Sequence, residues 1–220
     1  MGLLGVVLPS RCAVCARPGP ALCEHCDGSL IRLGPPVCDR CGCPGAWPVR
    51  RCVECAGRRL AFAHARSALV YDARARLLVS AWKERGRRDL ARFLAVVVAD
   101  VLARPAVDEI TFVPGDPERG RARGHVPAEG LARALAASWA LPLSAPLART
   151  GAAPRQARLP RARRAANVRR AFVARSPVAR SVALVDDVYT TGATASACAT
   201  ELRRAGARRV EVVCLARAVR

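Results

Sequence analysis

The 220-residue sequence predicts an α/β protein, with a mostly parallel sheet flanked by helices and a small cysteine-rich module in front of it. Three observations carry this. Nine of the eleven cysteines fall before residue 56. From residue 64 onward, short apolar runs alternate with stretches of helical spacing, the pattern of a sheet built from crossover units. One such run, "VALVDDVYTTGATASA" (182–197), meets two adjacent acids and passes through a Thr/Gly segment into an alanine-rich, helix-favouring stretch.

The front module spans residues 1–60. Eight of its cysteines form four Cys-x-x-Cys pairs: Cys12/Cys15, Cys23/Cys26, Cys38/Cys41 and Cys52/Cys55. Such a turn sets two thiolates on one side of a tight knuckle, and two knuckles make a tetrahedral zinc site. The opening "MGLLGVVLPSRC" has an apolar patch of about six residues with no basic residue before it, unlike a secretory signal. A cytoplasmic protein is therefore expected, with cysteines that hold metal rather than pair as disulfides. Sequential pairing gives one site from the first four cysteines and a second from the last four. Interleaved pairing, such as Cys12/Cys15 with Cys38/Cys41, satisfies the same spacing, and Cys43 could replace Cys41. Residues 1–60 carry eight arginines against four acids, a formal +4, which two four-thiolate zinc sites of charge 2− would neutralise. Neither set has three ligands and an open position, so the zinc is structural, contributing about 10–16 kcal/mol of apparent binding energy to folding.

The remainder, 61–220, reads as one domain. "SALVYD" (67–72) is a strand. "ARARLLVSAWKERG" is a helix ending at Gly86, and "RDLARFLAVVVADVLARP" a longer one stopped by Pro105. "DEITFVPGDP" (108–117) is a strand entering a turn, "AEGLARALAASWA" a helix, and "SAPLART" (144–150) a short strand. Residues 151–170, rich in Arg, Ala and Pro, read as an extended mobile loop. Strand 182–185, helix 193–205 closed by Gly206, and a last strand "RRVEVVCLA" complete the chain. Cys198, Cys214 and Trp139 fall at core positions. No apolar run approaches the roughly 18–20 residues that span a bilayer.

The net charge is +20, and 36 of the 37 basic residues are arginine; Lys83 is the only lysine. So uniform a preference reflects compositional bias, yet the charge is unevenly spread. Between Gly130 and Val185 lie eleven arginines and no acid, which suits a phosphate-rich ligand.

The stretch 182–197 follows the logic of ligand sites in parallel sheets, which lie beyond the carboxyl ends of the strands. "VALV" supplies the strand and "DDVYTTGAT" the loop. Unpaired N–H groups at the following helix start attract phosphate. Thr190, Thr191 and Thr194 add hydroxyl donors, Gly192 allows close approach, and Ala193 opens the helix. Asp186 and Asp187 would repel phosphate but accept hydrogen bonds from vicinal sugar hydroxyls. A ribose 5-phosphate explains both halves. A Walker-type triphosphatase would need a Gly-Lys-Ser/Thr loop, and Lys83, in "AWKERG", is not in one.

This stretch resembles the phosphoribosyl diphosphate signature of type I phosphoribosyltransferases. The resemblance implies that Asp186 and Asp187 bind the ribose hydroxyls, that residues 190–194 bind the 5′-phosphate, and that Mg²⁺ accompanies the diphosphate. With the cysteine module in front, nearly the whole chain resembles the ComF family, phosphoribosyltransferase-like proteins linked to DNA uptake. Its "P-x-x-C-x-x-C" is matched from Pro9 to Cys15, its "Y-D" by Tyr71 and Asp72, and its "L-K-x-x-G" by Trp82, Lys83 and Gly86. Its "V-P" turn is matched by Val113 and Pro114. Its "R-G-F-N-Q-A" is represented by Arg123 to Ala128, where Arg123 and Gly124 match but His125-Val126-Pro127 replaces Phe-Asn-Gln. Lys83, Val113, Pro114, Arg123 and Gly124 are thereby candidates for the pyrophosphate side. Arg149 with Gln156 and Leu159, and Arg164 with Asn167 and Phe172, match two further motifs, making Gln156, Arg164 and Asn167 candidates on a closing loop. His125 reads as an ordinary loop residue.

Two functions follow from the resemblance. One is a Mg²⁺-dependent phosphoribosyltransferase, although the last strand runs straight into "LARAVR" with no segment resembling a base-binding hood. The other is a non-catalytic factor that handles single-stranded DNA with the proteins of the competence machinery. Few aromatics are available for stacking bases there, at 4% of residues.

Overall fold

A computed structural model describes residues 10–116, 118, 120, 124–150 and 171–219. In chain order the elements are α1 (Glu24–Gly28), β1 (His64–Val70), α2 (Ala73–Lys83), α3 (Leu90–Val101), β2 (Glu109–Phe112) and α4 (Pro127–Trp139). They continue with β3 (Leu147–Arg149), β4 (Phe172–Ala174), β5 (Ser181–Tyr189), α5 (Ala193–Arg204) and β6 (Arg209–Arg217).

Four strands form one parallel sheet in the order β1-β6-β5-β2, while β3 and β4 make a separate antiparallel pair bracketing 151–170. Parallel sheets are covered on both faces, and alternation along the central strands sorts the two. Ala183 and Val185 of β5, with Val213 and Leu215 of β6, face a core containing Leu78, Trp82, Leu94 and Leu131 from α2, α3 and α4. Val182, Leu184, Val212 and Cys214 face another core, with Ala195, Cys198 and Leu202 of α5. Cys198, Cys214 and Trp139 are buried as expected.

Local sequence explains the helices. Asp72 caps α2 by accepting a hydrogen bond from the Ala75 N–H at 2.8 Å. Ala75, Leu78, Val79 and Trp82 then recur at helical spacing on its buried face. Pro127 occupies the first turn of α4, where its missing N–H costs nothing. α3 ends at Val101 because Leu102 is already extended, several residues before Pro105.

The cysteine-rich segment is built into this body. Cys12, Leu22, Cys26 and Leu30 join the first core, and Cys38, Cys41, Cys43 and Cys55 join the second. Residues 31–33 also run antiparallel beside β1, with the Leu33 N–H donating to the Ala68 carbonyl and Val70 N–H to the Ile31 carbonyl, both at 2.8 Å. At the opposite edge, residues 142–144 pair with Ile110 of β2. Both edges of the sheet are thus occupied.

Two strands are longer than the sequence predicts. β1 starts three residues before Ser67. β5 continues past Val185 to Tyr189, so the acid pair lies within the strand rather than in the loop after it. The extension is held by β6, which pairs Asp186 with Cys214, Val188 with Ala216 and Tyr189 with Arg217.

Candidate functional site

The carboxyl ends of β2 and β5 lie side by side, and the Val113 N–H donates to the Val185 carbonyl at 2.9 Å. This places the Val113-Pro114 turn next to Asp186. Successive strand residues point to opposite faces, so Asp187 shares the side of α2, where Lys83 closes the helix and forms an ion pair with its carboxylate. Asp186 turns toward the α5 side and accepts a hydrogen bond from the Asp187 N–H at 2.9 Å. Burial first, then the neighbouring Asp187 carboxylate, push the Asp186 carboxyl up to about 8, against the pull of that N–H and of Lys83. At neutral pH the ligand-free Asp186 carboxyl therefore holds its proton, while Asp187 is engaged by Lys83.

Tyr189 ends the strand and its ring is buried. Thr190 and Thr191 lead to Gly192, which caps α5 at φ 73°. A β-carbon there would collide with the Tyr189 hydroxyl and lie 2.8 Å from its ring. Glycine is required twice over, by conformation and by space. Gly192→Ala is expected to destabilise the protein by about 1–3 kcal/mol and to displace the loop. Chemical denaturation of the zinc-loaded protein measures it, and unchanged stability would mean that the ring yields freely.

Lys83, Val113, Pro114, Asp186, Asp187 and the segment 190–194 are thus gathered at one end of the sheet. Gly124, at φ 65°, sits against the guanidinium of Arg88, and His125 Nε2 lies 3.0 Å from the Trp82 carbonyl. Pro9, Arg123, Gln156, Leu159, Arg164 and Asn167 lie outside the described residues. Sequence reasoning missed Arg58, Tyr189 and Arg217. Arg58 Nη1 donates to the Thr191 carbonyl at 2.7 Å. Arg217 is fully buried, with its guanidinium carbon 4.7 Å from the Tyr189 ring centre. An arginine closing the apolar run "VVCLAR" was the available signal, hidden among 35 others.

The cysteines resolve into two sets. Cys12, Cys15, Cys23 and Cys26 form one, and Cys38, Cys41, Cys52 and Cys55 the other, with the sulfurs of each within 4.8 Å of one another. Interleaved pairing is thereby excluded, because the two knuckles of each set are consecutive in the chain, and Cys43 belongs to neither set. Zn–S bonds of about 2.3 Å at tetrahedral angles put sulfurs roughly 3.8 Å apart. The observed separations are 3.8 Å for Cys15–Cys23, 3.7 Å for Cys38–Cys55, 3.5 Å for Cys41–Cys52 and 3.9 Å for Cys52–Cys55. Backbone donors favour the thiolate at one cysteine of each set, while burial first pushes Cys26, Cys41 and Cys55 up. Burial would raise Cys12, but the N–H groups of Cys15, Cys23 and Val14 outweigh it and bring the thiol down to about 6. Cys38 is brought down to about 7 in the same way, by Cys41, Cys52 and Arg40. Each set could hold a zinc ion.

A parallel sheet with an acid pair on its second central strand, a glycine-started helix after it and two four-cysteine modules in front define a type I phosphoribosyltransferase-like fold. Solved structures similar to it include the allosteric regulatory enzyme of purine biosynthesis, 25% identical with a TM-score of 0.41 over 58% of this chain. Glutamine phosphoribosylpyrophosphate amidotransferase from B. subtilis, complexed with ADP and GMP, is 26% identical with a TM-score of 0.39 over 59%. This chain spans about a quarter of each, 25% and 26%. No family model matches. The DNA utilization protein YhgH of Salmonella typhi is 30% identical over 228 residues, covering 96% of this chain and 99% of that protein. YhgH of Salmonella typhimurium matches to the same extent. The chain belongs to the family of these DNA utilization proteins.

Proposed function

We propose that the protein binds phosphoribosyl diphosphate, or a related ribose 5-phosphate ligand, at the carboxyl ends of β2 and β5, and that it is a phosphoribosyltransferase. The observation that carries this is the acid pair on one strand, followed within five residues by a glycine-started helix. Asp186 and Asp187 accept the ribose hydroxyls, and the N–H groups and hydroxyls of 190–194 take the 5′-phosphate. Backbone groups of the Val113-Pro114 turn, with Gly124 and Arg123, face the diphosphate, to which Mg²⁺ comes bound and whose charge it offsets. Lys83 holds Asp187 in place in the free protein and is released toward the diphosphate when sugar hydroxyls replace it. By the family resemblance Gln156, Arg164 and Asn167 are further candidates for contacting the ligand. Transfer to a nitrogen nucleophile needs positioning and charge stabilisation more than a dedicated base. Pyrophosphate release from phosphoribosyl diphosphate with Mg²⁺ tests this, with each nucleobase supplied in turn. Release that depends on one base names the acceptor; no release with any of them from folded protein removes transfer to nucleobases and makes single-stranded DNA affinity at varied salt the next measurement.

The second reading is a factor that binds single-stranded DNA during uptake, alongside competence proteins, and Trp47 favours it. Trp82 and Trp139 are buried, whereas Trp47 is 70% exposed. Beside it, Pro48 lines a cleft of about 600 Å³ bordered by Arg66, Arg104 and Arg209. Arg50 and Arg51 line a second opening with Arg40. Asp39 and Glu211 also border the first cleft, but Glu211 is already paired with Arg209 and lies 3.3 Å from His64. A base stacked on Trp47 with phosphates on these arginines fits the name of the relatives. Stacking is worth about 1–3 kcal/mol per base, so Trp47→Ala is expected to weaken oligo-dT binding about tenfold. The salt slope should remain, at about −0.7 per phosphate contacted. Fluorescence anisotropy reads both, and an unaltered affinity would remove Trp47 from the interface.

A further inference from the structure

Two arginines join the second cysteine set to the loop that starts α5. Arg217, the last residue of β6, donates from Nη1 to the Cys41 carbonyl at 2.6 Å and from Nη2 to Glu54 Oε2 at 2.7 Å. Nη2 also lies 3.6 Å from Cys41 Sγ. On its other side its guanidinium covers the Tyr189 ring, whose edge meets Phe62 at a centroid distance of 6.3 Å and 81°. The Tyr189 hydroxyl is the group that Gly192 rests against. Arg58 follows Cys55 by three residues; its N–H donates to the Cys55 carbonyl at 3.2 Å and its Nη1 to Thr191. Close by, the Ala61 N–H donates to Ser196 Oγ at 3.1 Å in the first turn of α5.

A buried guanidinium is costly unless its surroundings supply negative charge. Glu54 supplies one carboxylate. The four thiolates of the adjoining set, holding a divalent ion, would supply the rest. Arg217 Nε is buried without a partner among the described residues, so this cation is retained despite an unmet donor.

We propose that the second cysteine set, through Arg217 and Arg58, fixes the shape of the 189–194 loop and thereby governs how tightly that loop holds a sugar phosphate. The proposal rests on reading the loop as the phosphate site. Both arginines are positioning residues: neither needs to touch the ligand. Because coupling between two sites is reciprocal, a sugar phosphate in the loop must also tighten metal retention in the second set.

The test uses the full zinc-loaded chain with Arg58→Ala, Arg58→Lys and Arg217→Met. Arg58→Ala should lower the affinity for phosphoribosyl diphosphate with Mg²⁺ about tenfold, with zinc content and melting temperature unchanged. Arg58→Lys, which keeps a donor, should recover most of the loss. In wild type the ligand should slow transfer of one zinc equivalent to a chelating dye, and in Arg58→Ala it should not. Equal affinities, or equal protection in wild type and variant, overturn the proposal. If wild type binds no sugar phosphate, the pocket reading fails instead, and hydrogen exchange of amides 190–194 decides the coupling. Arg58→Ala and Arg217→Met should each speed that exchange at least tenfold without ligand, and unchanged exchange sinks the link.

Discussion

An Asp186→Asn/Asp187→Asn protein is expected to bind phosphoribosyl diphosphate at least 100-fold more weakly than wild type, by titration calorimetry with Mg²⁺ present. The hydroxyl on Asp187 loses a charged acceptor, and Asp186, which must shed its proton to become one when the sugar binds, can no longer do so. Each such bond is worth about 1.5–3 kcal/mol, and at pH 8, where Asp186 ionises most readily, the two together reach that factor. The single variant Asp186→Asn should show a second effect of opposite sign. In the folded, ligand-free protein Asp186 keeps its proton up to about pH 8, whereas an unfolded carboxyl releases it near 4. Between those values the folded state holds a proton that the unfolded state does not, so wild-type stability falls as pH rises across the window. Asparagine keeps the acceptor for the Asp187 N–H and never ionises. Asp186→Asn should therefore melt a few degrees above wild type at pH 8 and with it near pH 4. The same pH slope in both proteins would show that Asp186 is not the titrating group. Weaker binding together with greater stability marks a residue kept for a ligand.

With zinc held by both cysteine sets, its removal is the perturbation expected to have the largest effect on structure. A structural zinc is worth about 10–16 kcal/mol of apparent binding energy, as much as a typical domain's whole stability of roughly 5–15 kcal/mol. The loss should not stay local. Cys12, Leu22, Cys26 and Leu30 pack in the same core as Leu78 and Trp82, and Arg85 and Arg87 reach over to the Ala13 and Arg11 carbonyls at 3.0 and 2.8 Å. Chelation at neutral pH is expected to cut the cooperative melting transition of the entire chain, with recovery on adding Zn²⁺. Calorimetry of treated protein checks this, and an intact transition after complete metal removal would make the module an appendage. Acid should act likewise, because protons compete with the metal for the cysteine thiolates.

Much of this was legible in the sequence because the signals were local. Cys-x-x-Cys spacing specifies a knuckle, and an apolar run meeting Asp-Asp and then Thr-Thr-Gly specifies a strand, a loop and a helix start. What escaped was set by partners distant in the chain. The extension of β5 to Tyr189 depends on β6, and no window around Asp186 contains that ladder. The choice between sequential and interleaved cysteine sets depends on where the fold brings the knuckles together, which spacing alone does not specify. Arg217 and Arg58 were invisible for another reason: in a chain with 36 arginines, one more carries no information until its burial is known.

Residues 31–33 beside β1 bear on how the chain is made. The first strand of the sheet has its only main-sheet neighbour in the last, His64 pairing with Glu211 and Val70 with Arg217. During synthesis β1 must therefore wait until nearly the whole chain has left the ribosome, and a waiting strand with open edges pairs with whatever it meets. The 31–33 segment, completed just before β1 emerges, closes one of those edges at once, flanked by the two knuckle sets that straddle it. Metal bound by those two sets as they emerge would hold the segment in place while β1 waits for its partner strand.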